Sequence, residues 1–305
     1  MFTPAKRLSK ITISASAAMS DLARELKAQG LQVISLSSGE PDFQTPAPAL
    51  EAARIAAESG DTKYPPQKGT VKLLEAVQRK FLRDNELSYE LSELLTGNGA
   101  KQLIFDAIMC SCNSGDEVII PAPGWITYAD IVHLADATPV SVPCLEEDNF
   151  QLNPAALEAA ITDKTKWLLL NFPNNPSGAA GSPKDLRAIA DVLLAHPHVW
   201  VLTDDIYEHL RYDGAEFATI AQVEPKLKSR TVTVNGVSKA YAMTGWRVGY
   251  AGGPAEMIAA MNTIQLQATG GICTLAQAAA VAVLDGPQDV LKEQADIYKT
   301  RRDFV

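Results

Sequence analysis

The chain has 305 residues, of which 47% are hydrophobic and 21% charged, and a formal net charge of -9. This is enough chain for one large or two ordinary domains around a substantial core, with the composition of a globular protein. An acidic balance with no dense basic block argues against a nucleic-acid partner, and no apolar run reaches membrane-spanning length.

Cys110, Cys112, Cys144 and Cys273 show neither paired zinc spacing nor a disulfide framework, which points to a reducing compartment and to no metal site. The expected location is the cytoplasm, or an organelle matrix such as the plastid stroma if a transit peptide has been removed. Met1 to Lys10 lacks the apolar centre of a secretory signal.

Taken along the chain, residues 1–45 predict a helix over Ala15–Gln29, stopped by Gly30, then a strand over Val33–Leu36 and the turn Gly39-Glu40-Pro41-Asp42-Phe43. Such a segment cannot form a core alone and should pack on another part of the molecule. Thr96-Gly97-Asn98-Gly99-Ala100-Lys101 feeds a helix over Lys101–Cys110. A glycine turn at a helix start is either a plain connection or a cradle of free N–H groups for a phosphate.

Apolar, β-branched runs at Glu117–Ile120, Trp167–Leu170, Val199–Leu202 and Arg230–Val234 read as buried parallel strands. Helical patterns at Trp125–Leu134, Pro154–Ala160 and Pro183–Ala195 alternate with them. That order predicts an α/β fold: an open, mostly parallel sheet flanked by helices. Val248–Gly252 adds one short strand, and the chain turns helical from Pro254 to the charged Leu291–Phe304 run. The helical pattern is still running at Val305, so a second, smaller α+β domain is expected to be incomplete. The implied division is 1–45 for the small domain, 46–285 for the large one, and 286–305 for a helix leading back to the small one.

In an open α/β sheet, ligands bind beyond the carboxyl ends of the strands, and the unusual residues gather there. Pro121-Ala122-Pro123-Gly124-Trp125 follows one strand; its tryptophan either stacks on a heteroaromatic ring or begins a helix core. Asn171-Phe172-Pro173-Asn174-Asn175-Pro176-Ser177-Gly178 follows the next, stiff enough to hold one amide at fixed geometry, with Asn175–Pro176 a candidate cis bond. Thr203-Asp204-Asp205-Ile206-Tyr207 follows the third. Here an aspartate either caps a helix or pairs with a protonated pyridine nitrogen.

Val234-Asn235-Gly236-Val237-Ser238-Lys239-Ala240 then places a lysine after a strand, and Arg247 comes eight residues later. An amine at a strand end can form a Schiff base with a carbonyl, and a guanidinium can hold an anion. Pyridoxal phosphate carries both an aldehyde and a phosphate.

With these segments in this order, the chain resembles a class I, fold-type I pyridoxal-phosphate-dependent aminotransferase of the aspartate aminotransferase group over essentially its whole length. The matching stretches are Gly39–Phe43, Asn174–Gly178, Asp204-Asp205-Ile206-Tyr207-Glu208-His209 and Ala242-Met243-Thr244-Gly245-Trp246-Arg247. The resemblance implies that Lys239 carries pyridoxal 5′-phosphate covalently and moves the substrate proton. Asp204 would keep the pyridine nitrogen protonated, and Asn175 and Tyr207 would bond the ring oxygen. Trp125 would stack on the ring, while Gly99, Ala100, Ser238 and Arg247 would hold the phosphate. Lys101 lies beside that turn and can approach a substrate carboxylate.

Gly39 would meet the substrate carboxylate, together with Trp125 and Asn175. Tyr64 matches a tyrosine that reaches the phosphate of a partner subunit, which implies a homodimer. The implied reaction is transamination between aspartate or glutamate and a 2-oxo acid: oxaloacetate, 2-oxoglutarate or prephenate. Ala135–Val140 resembles plastid-type members, whereas Thr12 and Ile13 depart from the basic residue and proline of many relatives.

Two further departures bear on the site. Gly236 stands where many relatives carry a phosphate-binding serine. Relatives also continue for roughly a hundred residues more, and the arginine that clamps the substrate α-carboxylate lies there, so weak amino-acid binding is expected of this chain. A lyase or decarboxylase using the same residues, or a cofactor-binding protein acting through partner contacts, are the competing readings.

Overall fold

The computed structural model describes residues 2–11, 15–36 and 39–305. Thr12 and Ile13, on which the contrast with other relatives rests, and Ser14 lie outside the described residues. Seven strands make one sheet: β1 (Leu94–Asn98), β2 (Glu117–Ala122), β3 (Thr138–Pro143), β4 (Thr165–Leu170), β5 (Trp200–Asp204), β6 (Thr231–Gly236) and β7 (Val248–Gly252). Their spatial order is β1-β7-β6-β5-β4-β2-β3. Strands β3, β2, β4, β5 and β6 run parallel, and β7 runs antiparallel to both β6 and β1. The expected fold is present: a mostly parallel sheet flanked by helices.

Central strands are buried along almost their whole length because helices cover both faces. All six residues of β6 are buried. In β4, Trp167 and Leu169 enter the core layer beneath the helices Ala100–Ser111 and Ala255–Ala268. Leu168 and Leu170 enter the opposite layer with Leu186, Ile189 and Leu193 of the helix Pro183–Ala195. A third layer joins Leu73, Val77 and Phe81 of the helix Val71–Asn85 to Ala276, Ala279 and Ala280 of the helix Thr274–Asp285.

Two strands escape a reading by hydrophobic pattern. Strand β3 is an edge strand of Thr-Pro-Val-Ser-Val-Pro, with exposed Thr138, Ser141 and Pro143, as solvent-facing edges allow. Strand β1 carries its strand character only in Leu94, Leu95 and Thr96 before a glycine. The expected strand Val33–Leu36 is absent: residues 31–36 have no regular structure, and Ile34 and Leu36 are 91% and 93% exposed. Apolar alternation cannot make a strand where no neighbouring edge pairs with it. The helix expected from Trp125 begins at Thr127, leaving the indole in the preceding loop.

The helix Ala100–Ser111 buries Asp106 completely, and neither carboxylate oxygen has a partner. Burial raises its pKa to about 7. Its folded-state pKa therefore lies above the unfolded value, so the folded chain binds more protons than the unfolded one, and stability falls as pH rises between the two. Asp106→Asn removes that loss. In urea unfolding its stability is expected to match the parent near pH ~4 and to exceed it by up to roughly 4 kcal/mol near pH ~8. Curves that stay parallel across this range would contradict the assignment.

Candidate active site

The strand tips open into a cleft of about 830 Å³. Its lining brings together ten of the residues expected from the sequence: Gly39, Ala100, Lys101, Trp125, Asn175, Asp204, Tyr207, Ser238, Lys239 and Arg247. Gly99 sits just behind them, while Tyr64 is fully exposed and does not line the cleft.

Each side chain is aimed by its backbone. Asp204 ends β5 and is 4% exposed; no helix follows, so it caps nothing. The Asn171 amide, at the tip of β4, donates to the Asp204 carbonyl at 2.7 Å, and its oxygen accepts from the Asn175 N–H at 2.9 Å. One asparagine thus ties two neighbouring tips together. The Asn175 amide in turn lies 3.5 Å from the Tyr207 hydroxyl. Asn175–Pro176 is cis, as are Ala122–Pro123 and Phe172–Pro173.

Arg247 reaches the same edge by a different route. It precedes β7, the antiparallel strand, so the amino end of β7 lies beside the carboxyl ends of its neighbours. Its guanidinium donates to the carbonyls of Thr244 and Asn98 at 2.9 and 3.2 Å. Gly99 has φ +81°, and a Cβ there would run into the Arg247 guanidinium. Glycine is required on both counts, backbone and space. Behind it, a Cβ on Gly249 of β7 would meet the backbone of Gly99 and Ala100. The Gly99 turn is therefore packed directly onto the sheet, with the N-terminus of the helix Ala100–Ser111 at the cleft.

The electrostatics suit a bound anion and a reactive amine. Lys239 donates to the Gly39 carbonyl at 2.6 Å. Burial, aided by the positive charge of Arg247, holds its pKa below the usual lysine range despite Glu40 and Asp204. Burial pushes Asp204 up to about 6, against the Tyr128 phenol, the Ile206 N–H and Lys239. Tyr207 is raised to about 12, by burial first and Asp204 second. Burial and Arg247 also lower Lys101, whose Nζ sits 4.8 Å from the centre of the Trp125 ring.

Residues to which the sequence assigned no role also belong here. Tyr128, Asn171, Thr244 and Tyr298 line the cleft, and Thr244 donates to Glu40 at 2.5 Å. Helical spacing from Trp125 was the available signal for Tyr128; Tyr298 had none, lying far along the chain in the helix Asp289–Phe304. That helix holds the Gly39–Phe43 turn through the Arg301–Asp42 pair at 2.8 Å and the edge-on contact of Phe43 with Tyr298.

The family described as aminotransferase class I and II matches residues 32–305. The chain belongs to this family. Over 304 residues the aminotransferase is 53% identical to the aspartate aminotransferase of Rhizobium meliloti (strain 1021), covering all of this chain and 74% of that one. It is 49% identical to the aspartate/prephenate aminotransferase of Cereibacter sphaeroides, covering 98% of this chain and 74% of that one. Among solved structures, the aspartate aminotransferase from Rhizobium meliloti superposes with a TM-score of 0.96 at 52% identity, covering 100% of this chain and 76% of that one. The Thermus thermophilus aspartate aminotransferase with maleate gives 0.94 at 39%, covering 99% and 79%.

Class I aminotransferases use pyridoxal phosphate, and two orphaned atoms fit it. Asp204 Oδ1 and Ser238 Oγ are buried without any partner. Buried polar atoms normally have one, and here a ring N–H and a phosphate oxygen would meet the need. Among the described residues no helix is long and apolar enough to cross a membrane.

Proposed function

We propose that this aminotransferase moves an amino group between aspartate or glutamate and a 2-oxo acid, with pyridoxal 5′-phosphate held on Lys239. The observation that carries this reading is the shared cleft of an amine of lowered pKa and a buried carboxylate with one unpartnered oxygen. When bound, the cofactor supplies an electron sink for the pair left at the substrate α-carbon. The chain's own residues do the rest.

Asp204 Oδ1 holds a proton on the ring nitrogen, so that the sink stays cationic. Asn175 and Tyr207 hold the ring oxygen. The N–H groups at Gly99 and Ala100, the Ser238 hydroxyl and the Arg247 guanidinium hold the phosphate, with Gly236 leaving Ser238 as the serine of that segment. Trp125 covers one ring face and keeps water from it. The Lys239 Nζ is the base placed to take the proton from the substrate α-carbon and would hold it for return within the same cleft. A lowered pKa serves this role, since more of the amine is unprotonated near neutrality.

Lys101 beside Trp125 is the residue placed for a second carboxylate, and the maleate of the Thermus thermophilus structure is a dicarboxylate. Prephenate is a 2-oxo acid with a second carboxylate, so the same lysine serves it. Exposed Tyr64, with exposed Leu31, Ile34 and Leu36, supports a homodimer in which Tyr64 completes the partner's phosphate site.

The test is a single turnover. The chain loaded with pyridoxal phosphate and saturated with aspartate, with no acceptor, should yield oxaloacetate one-for-one with conversion of the cofactor to its amine form. Release of ammonia or carbon dioxide instead would make it a lyase or a decarboxylase.

A further inference from the structure

Tyr128 lies in the first turn of the helix Thr127–Leu134 and is 2% exposed. Its hydroxyl donates to Asp204 Oδ2 at 2.7 Å, leaving Oδ1 without a partner. Its ring meets the Trp125 ring edge-on, with centroids 5.2 Å apart at 89°. One side chain therefore touches both the acid and the indole of the cleft. We propose that Tyr128 is the positioning residue that fixes Asp204 and Trp125 relative to each other, so that carboxylate and indole meet one flat heteroaromatic ring. This rests on the cofactor reading above and concerns a residue which that reading does not use.

The chemistry of the phenol explains why a tyrosine suits the position. Burial and the neighbouring Asp204 raise its pKa well above the usual tyrosine value, so it keeps its proton and acts only as a donor. A donor without charge orients the carboxylate but leaves its negative charge uncancelled. A cation in the same place would neutralise the acid and weaken its hold on a ring N–H. The other groups facing Asp204 are the Ile206 N–H, Lys239 from beyond β6, Tyr207 and Asp205 from its own segment, and the Asn171 amide on its backbone.

Removing the hydroxyl takes a donor from buried Asp204 Oδ2, so the acid holds a proton more tightly and draws it from the ring nitrogen. The ring loses positive charge, and the nitrogen joining Lys239 to the cofactor then holds its own proton to a higher pH.

The experiment titrates pyridoxal phosphate into the parent chain, Tyr128→Phe and Tyr128→Leu, reading Kd and the pH midpoint of the visible band. Borohydride trapping and peptide mass analysis locate the adduct. Tyr128→Phe keeps the ring against Trp125 and should raise Kd about tenfold (about 1.4 kcal/mol). It should also move the midpoint up by about one unit. Tyr128→Leu, which also loses the contact with the indole, should raise Kd further still.

A Tyr128→Phe chain with the parent's Kd and midpoint overturns the proposal while leaving the cofactor site standing. A parent chain that traps no adduct at Lys239 overturns the cofactor reading, and this inference with it. The midpoint separates positioning from stability, because a variant that is merely less stable binds less cofactor without changing the pH at which the bound band titrates.

Discussion

Lys239→Ala is expected to trap no cofactor with borohydride and to slow exchange of the substrate α-hydrogen with solvent by about 10²- to 10⁴-fold, the usual contribution of a positioned acid–base group. Exchange into deuterium oxide, followed by mass spectrometry of aspartate, measures this step without requiring a complete turnover. The chain should remain folded, because Lys239 is only half-buried and its one hydrogen bond goes to the Gly39 carbonyl. No neighbour can stand in. Tyr207 lies 5.9 Å away, measured from the Lys239 Nζ to its ring centre, and its hydroxyl is held protonated up to about 12. Lys101 is stationed on the Trp125 ring. Exchange at the parent rate in the alanine variant would remove Lys239 from the reaction.

The contrast between those lysines shows what the sequence makes legible. Lys239 announces itself, because the strand before it is a β-branched Thr-Val-Thr-Val run and the residues after it make a tight turn. Periodicity and turn chemistry together place its amine at a strand tip. Asp204 and Asn175 are legible for the same reason, each following a central strand whose burial on both faces leaves an unbroken apolar run. Strand β3 is not legible, since an edge strand needs no such run, and its two prolines read as loop.

The absent strand at Val33–Leu36 shows the reverse error. Its pattern was right, but a strand is a property of a pair, and among the described residues no strand edge pairs with it. Tyr128 lay in plain view three residues from Trp125. What hid it was the identity of its partner, 76 residues further along the chain, which only the meeting of the helix Thr127–Leu134 with β5 reveals. Contacts of that kind lie beyond local pattern.

Lys80 is the other residue that pattern could not find, and its loss should destabilise the protein most. It lies in the helix Val71–Asn85, 1% exposed, where an amphipathic reading would place an apolar side chain. Its ammonium pairs with the buried Glu208 carboxylate and donates to Asn85 Oδ1 at 2.7 Å. The amides of Asn85 and Asn235 then donate to the two Glu208 oxygens at 2.7 and 2.8 Å.

Lys80→Met removes the cation and leaves a buried carboxylate facing amides and His209, a change that costs about 3–5 kcal/mol when a buried pair is broken from one side. Denaturant unfolding of the chain without cofactor reads the loss directly. Its pH dependence has a definite sign. Burial pushes Glu208 up, but Lys80 and His209 outweigh it and hold the carboxyl well below its usual range. That stabilisation is present above the unfolded pKa of a glutamate and is lost as pH falls.

The deficit of Lys80→Met should therefore be largest near pH ~7 and shrink toward pH ~4, where a lone Glu208 takes up a proton. Lys80→Met/Glu208→Gln should recover most of it, since a neutral amide needs no counter-charge. A double variant as unstable as the single one would mean that packing, and not charge, is what Lys80 supplies. The pair joins the helix Val71–Asn85 to the residue after Tyr207 and, through Asn235, to the strand that leads into Ser238 and Lys239. A partial loss of cofactor affinity in the double variant, with stability restored, would then measure how far the ion pair also sets the spacing between these two strand tips.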